Sequence, residues 1–192
     1  MYKSKKALTW YRFIDKLRNK RIFMFIGYGT KNQFKSLLEI NKKLKMVLEQ
    51  IPKNTYLLYF GDVPDKKNPD IGYIYQKTHE LRPDINIVMI QISFVKKYGL
   101  PNFVSYVYWH NDFRIKTMWD AGIDKKGNPV SNTKKWLNLH KITPIEKIFV
   151  FGGGAITMDE IKLAMKHNIE LEFIRIMRRY RGDKKTKIKN NN

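Results

Sequence analysis

Phe149-Val150-Phe151-Gly152-Gly153-Gly154-Ala155-Ile156-Thr157-Met158-Asp159-Glu160 is the stretch around which the chain is organised. An apolar run, a triple glycine and then Thr-x-x-Glu at the head of an apolar-periodic segment read as a strand, a tight loop and a helix start. Glycines at such a turn let the backbone take positive φ and let a ligand come close to the amides. The helix N-terminus behind them offers unpaired N–H groups and the positive end of the dipole, so a phosphate or carboxylate is favoured there. A second reading stands beside the first. Thr157 and Glu160 have the spacing of a capping box, in which both side chains serve the helix end and the glycines only turn the chain.

Working outward, the same order of elements occurs near the other end of the chain. Ile22-Phe23-Met24-Phe25-Ile26 is a continuous apolar run, as expected of a strand covered on both faces of a parallel sheet, and it ends in Gly27-Tyr28-Gly29-Thr30. The segment 32–51 then places Phe34, Leu37, Leu38, Leu44, Val47, Leu48 and Ile51 on one helical stripe, and Pro52 stops it. The dinucleotide pattern G-x-G-x-x-G is not completed, because Asn32 stands where its third glycine belongs. Thr55 to Phe60 is the next strand and runs into Gly61-Asp62. A carboxylate just past the carboxyl end of a parallel strand lies on the ligand-binding side of the sheet, so Asp62 is a candidate for a ribose hydroxyl or for acid–base work. An Asx-turn is the structural alternative for it. Asp70 is placed to cap a helix carrying Ile71, Ile74, Thr78 and Leu81, and Ile85 to Ile92 forms a further strand. Successive βα units predict a Rossmann-like, doubly wound α/β domain, with a mostly parallel sheet and helices on both faces.

The remaining segments attach to that frame. Phe103 to Trp109 alternates and carries aromatics, and is expected to be a strand that leaves the parallel pattern. Residues 110–135 read as an insertion or lid, rich in turns between Trp119 and Pro129, and Thr133 to Leu139 as a short helix. Beyond the glycine loop, Ile161, Ala164 and Met165 are the expected buried helix face, and Ile169 to Ile176 alternates as a final edge strand. Segment 1–21 has Ala7, Trp10, Ile14 and Leu17 at helical spacing among many lysines and arginines, which predicts a basic amphipathic helix packed on the 22–177 body. The basic tail 178–192 is expected to be disordered.

Composition sets the outer limits. A chain of 192 residues that is 43% hydrophobic and 14% aromatic supports one core and one domain. The absence of cysteine excludes a disulfide framework, a thiol nucleophile and thiolate metal ligation. Four scattered histidines form no metal-binding pattern, and neither a metal nor a cofactor is expected. A formal charge of +21 favours polyanions and makes nucleic acid the competing class of partner. The alternative source of that charge is the Lys-rich and Asn-rich coding bias of an AT-rich genome, such as a virus or phage. No apolar run approaches the roughly 18 residues of a membrane span, and the basic N-terminus lacks a signal-peptide h-region. The expectation is a cytoplasmic protein without a membrane partner.

The pairing of Gly27-Tyr28-Gly29-Thr30 after an early strand with Gly152-Gly153-Gly154-Ala155-Ile156-Thr157-Met158-Asp159-Glu160 after a late one resembles the SLOG superfamily of Rossmann-like proteins. That group includes the LONELY GUY phosphoribohydrolases, also called lysine-decarboxylase-like, nucleotide-sensing domains, and DNA-processing proteins. Their late loop has the form Gly-Gly-x-Gly-Thr-x-x-Glu. Ile156 replaces the glycine before Thr157, and Phe151 stands where the hydrolases have proline. The resemblance implies a crevice between two glycine-rich loops, with Gly27, Tyr28, Gly29, Thr30, Asn32, Gly61, Gly152, Gly153, Gly154 and Thr157 around a nucleotide or nucleotide-derived small molecule. It also implies Glu160 as the catalytic carboxylate for N-glycosidic cleavage or transfer, with Asp62 at the rim, and a homodimer by analogy with relatives.

Overall fold

The computed structural model describes residues 7–28, 36–61, 70–111 and 122–176. Gly29, Thr30, Asn32 and Asp62 lie outside the described residues, as do 112–121 of the expected insertion and the tail 178–192. In chain order the elements are β1 (Ala7–Leu8), α1 (Trp10–Leu17), β2 (Ile22–Gly27), α2 (Leu37–Gln50), β3 (Tyr56–Tyr59), α3 (Ile71–Leu81), β4 (Asn86–Ile92), a 3-10 turn (Ser93–Tyr98), β5 (Val104–His110), α4 (Ser131–His140), β6 (Ile145–Phe151), α5 (Ala155–Lys166) and β7 (Glu170–Phe173). The strands form one seven-stranded sheet in the order β1-β5-β4-β3-β2-β6-β7. Every neighbouring pair is parallel. The chain therefore builds outward from β2 to β5, returns to the far side of β2 with β6, and ends with β7 at the edge. This is the doubly wound, Rossmann-like α/β architecture.

Burial follows from that order. The apolar run of β2 alternates between two cores: Phe23 and Phe25 join α2 and α3 on one face, while Ile22, Met24 and Ile26 join α1, α4 and α5 on the other. A strand flanked by strands and covered by helices on both sides has no polar face to present, which is why its sequence is apolar throughout. Helix starts are set locally. Thr9 Oγ1 accepts from Arg12 N at 3.4 Å ahead of α1, Ser36 Oγ accepts from Glu39 N at 3.3 Å ahead of α2, and Asp70 Oδ1 accepts from Gly72 N at 2.8 Å ahead of α3.

Four expectations from the sequence are corrected. Leu37 and Leu38 are 42% and 83% exposed, because the buried stripe of α2 runs through Ile40, Leu44, Val47 and Leu48. β5 does not leave the parallel pattern: it pairs with β4 from Ile87↔Val104 to Ile92↔His110, because the 3-10 turn takes the place of a crossover helix and returns the chain to the starting end of the sheet. Its aromatics are needed for packing against α1 rather than for an antiparallel edge. Met165 is not buried but 64% exposed; the inward face of α5 runs through Thr157, Ile161 and Ala164, and Met165 is turned about 100° from Ala164. Within the described part of the N-terminal segment the helix covers only Trp10–Leu17, and Ala7–Leu8 before it pair with Val107 and Tyr108 as a short edge strand. Of the expected insertion, the described part is a turn closed by an antiparallel bridge between Ile123 and Pro129, leading directly into α4. No helix among the described residues is long and apolar enough to cross a membrane.

Candidate functional site

Strand order reverses between β2 and β6, whose register runs to Gly27↔Phe151. In an open α/β sheet the loops leaving two such strands diverge to opposite faces, and ligands bind in the space between or beside them. Here the two glycine loops meet at this point. Thr157 Oγ1 donates to the Gly27 carbonyl at 3.1 Å, and Tyr28 N donates to the Phe151 carbonyl at 3.4 Å. The Tyr28 carbonyl in turn accepts from Ile71 N at 2.7 Å, which ties the end of β2 to the start of α3.

The glycine run has a specific geometric cause. Gly152 has φ +66° and Gly153 φ +139°, regions that side-chain-bearing residues rarely adopt. A Cβ on Gly152 would enter the Tyr28 ring, and one on Gly153 would enter the Thr157 side chain. The loop thus packs tightly against its neighbours. The capping-box reading fails: the helix begins at Ala155 behind Gly154, no side chain caps it, and Thr157 is committed to Gly27. The first bond of the helix is Met158 N to Gly154 O at 3.0 Å, so the amides of Ala155, Ile156 and Thr157 have no intrahelical acceptor. Such a turn favours an anion.

An open cleft of about 540 Å³ lies beside this turn, astride the end of β6. Tyr28, Gly152, Gly153, Thr157, Met158 and Ile161 form one wall. The other wall is the chain continuing from β7, Phe173 to Ile176, fixed by Ile174 N donating to the Val150 carbonyl at 2.9 Å. Met158 is 51% and Phe173 63% exposed, which leaves apolar surface available to a ligand, and Arg175 supplies a cation at the rim. The sequence did not point to this second wall. Its signal is that apolar alternation continues through Ile174 and Ile176 after the edge strand has ended.

Other expected site residues lie on the opposite side of β2. β2 and β3 pair only as far as Met24↔Leu58. Beyond that the Tyr75 hydroxyl is wedged between them, accepting from Phe25 N at 2.9 Å and facing the carbonyl oxygens of Phe25, at 3.0 Å, and Leu58. Burial holds the ionisation of Tyr75 far above its ordinary range. Glu160 is half-buried and near enough for its charge to oppose that ionisation further. Burial, with Asp159 adding to it, pushes the Glu160 carboxyl up to about 8. Glu160 is two residues, or about 200°, around the helix from Met158, and is not among the residues lining the cleft. Gly61 is held at the end of β3 by Gln91, whose Nε2 donates to the carbonyls of Phe60 at 2.6 Å and Gly61 at 3.3 Å. Asn132 Nδ2 donates to Gln91 Oε1 at 2.7 Å, and Asn132 Oδ1 lies 2.7 Å from His110 Nε2, so that ring nitrogen is the donor. The structure thus brings Gly27, Tyr28, Gly152, Gly153 and Thr157 together, and sets Gly61 and Glu160 apart from the cleft.

No protein-family model matches the chain, and no curated protein matches it. Among solved structures it is similar to the Moco carrier protein of Chlamydomonas rheinhardtii, at 13% identity and a TM-score of 0.48, over 81% of this chain and 76% of that one. At that degree of likeness, fold is read from the strand order and function from the site itself.

Proposed function

We propose that the protein binds a nucleotide or nucleotide-derived small molecule at the carboxyl edge of its sheet, across the end of β6. The observation that carries the reading is the junction of an uncapped, glycine-led helix start with an apolar cleft of about 540 Å³ at the reversal of strand order. Phosphate oxygens would accept from the amide of Thr157, a residue of the cleft wall, and from those of Ala155 and Ile156 in the turn beside it, and a planar base would lie between Met158 and Phe173. The SLOG-like spacing of Gly152, Gly153 and Thr157 supports the same placement of phosphate. The proposal is of binding rather than N-glycosidic cleavage, because Glu160 stands outside the cleft.

Thermal unfolding against nucleoside monophosphates, NAD, ADP-ribose and cyclic nucleotides, at low and high salt, tests it. A ligand at about 100 times its dissociation constant adds roughly 2.7 kcal/mol to stability. We expect a salt-resistant rise in Tm with at least one of these, abolished by Met158→Trp, which fills the cleft from an exposed position without entering the core. No shift with any member of the panel, or an equal shift in Met158→Trp, would overturn the proposal.

A further inference from the structure

We infer that the outer surface of α1 and α4 binds single-stranded nucleic acid, independently of the cleft. The two helices lie together over one face of the sheet. Phe13, Ile14 and Leu17 share a buried cluster with Trp136, Leu137 and Leu139, and Lys135 Nζ sits 5.7 Å from the centre of the Trp10 ring. With their apolar stripes turned inward, the helices face outward with cations. Arg12, Lys16, Arg18, Lys20, Lys134 and Lys141 are all exposed. None of them forms an ion pair among the described residues. Asp15 is the sole acidic residue in α1, and α4 has none.

The opposite face differs. α2 intersperses its lysines with Glu39 and Glu49, and α3 pairs Lys77 with Glu80 at 2.8 Å. Arg21, just beyond α1, is likewise neutralised by Glu146 at 2.7 Å. Within their bounds α1 and α2 each carry one net positive charge and α4 two, and it is Arg18 and Lys20 just beyond α1 and Lys141 just beyond α4 that make this face the more cationic one.

An array of cations without acidic partners, one of which, Lys16, lies 5.7 Å from the centre of the Tyr106 ring, matches a chain of phosphates. Tyr11, 74% exposed next to Arg12, adds a ring face on which an unpaired base can stack. A duplex hides its base faces and would gain nothing from that ring. A lipid surface fits poorly, because Phe13, Ile14 and Leu17 of α1 are buried against the sheet and Tyr11 alone is left largely exposed among its large apolar side chains.

Fluorescence anisotropy of a labelled oligothymidylate against salt, with the full chain, tests the assignment. Neutralising Arg12, Lys16, Lys134 and Lys141 to Gln together should weaken binding by tenfold or more at about 50 mM salt, and flatten the log–log salt slope by about 3. The same neutralisation at Lys42, Lys43, Lys45 and Lys53 should change affinity far less. Tyr11→Ala should weaken binding with the slope unchanged. Equal losses from the two fourfold variants would reduce the effect to net charge and overturn the surface. Absence of binding at low salt would do the same. Equal affinity for a duplex, or no effect of Tyr11→Ala, would overturn the single-strand assignment.

Discussion

Glu160 shows what one side chain can report about its surroundings. Its carboxyl is pushed up to about 8 from an ordinary 4.5, chiefly because burial disfavours the charge. Between those values the folded state holds a proton that the unfolded state has lost, so raising the pH across this window favours unfolding. Urea unfolding from pH 5 to 8.5 should therefore show stability falling as pH rises and levelling above about 8. Glu160→Gln, which mimics the protonated form, should flatten that decline. A decline of equal slope in the variant would assign it to other groups. From sequence Glu160 was legible as a member of a Thr-x-x-Glu pattern and as a candidate acid. Its burial was not legible, because that depends on α5 rotating Thr157 and Ala164 onto the sheet.

At the scale of elements, the junction of β2 and β3 is the least regular part of the sheet. One tyrosine from α3 replaces the ladder that would have continued past Met24↔Leu58. Tyr75→Phe removes the hydroxyl and leaves Phe25 N–H and the Leu58 carbonyl buried without it, at a cost of about 1–3 kcal/mol. Equilibrium unfolding should register this as a lower midpoint with an unchanged slope against denaturant. A neutral result would mean that the two strands close over the gap. The apolar strands, the glycine turns and the Asp70 cap were readable because each depends on residues adjacent in sequence. Tyr75's role was not, since it is set by a partner fifty residues away. The same holds for the second wall of the cleft, which arrives from β7, and for the direction of β5, which is decided by its crossover.

On the scale of the whole molecule, the net charge of +21 acts on stability as well as on partners. Like charges crowded onto one body repel, and at about 0.1 M salt the screening length falls to about 10 Å. Tm should therefore rise as sodium chloride is raised from low to moderate concentration, and the fourfold neutralised variant of α1 and α4 should show a smaller rise. A Tm independent of salt would indicate that repulsion is already offset within the fold. The overall α/β order was legible from the repeated strand–turn–helix pattern, whereas the sidedness of charge required knowing which helices share a face.

The strand order has one more implication. β2 and β6 are neighbours in space, yet they enter the sheet from the two ends of the chain, with the exposed turn at Lys126-Gly127 between them. Division of the polypeptide there would leave Gly27 and Tyr28 on one piece and the glycine loop with the Phe173–Ile176 wall on the other. Neither piece would own a whole cleft. The protein is thus laid out for fragment complementation, and a small molecule that fills the cleft should act as glue between the pieces.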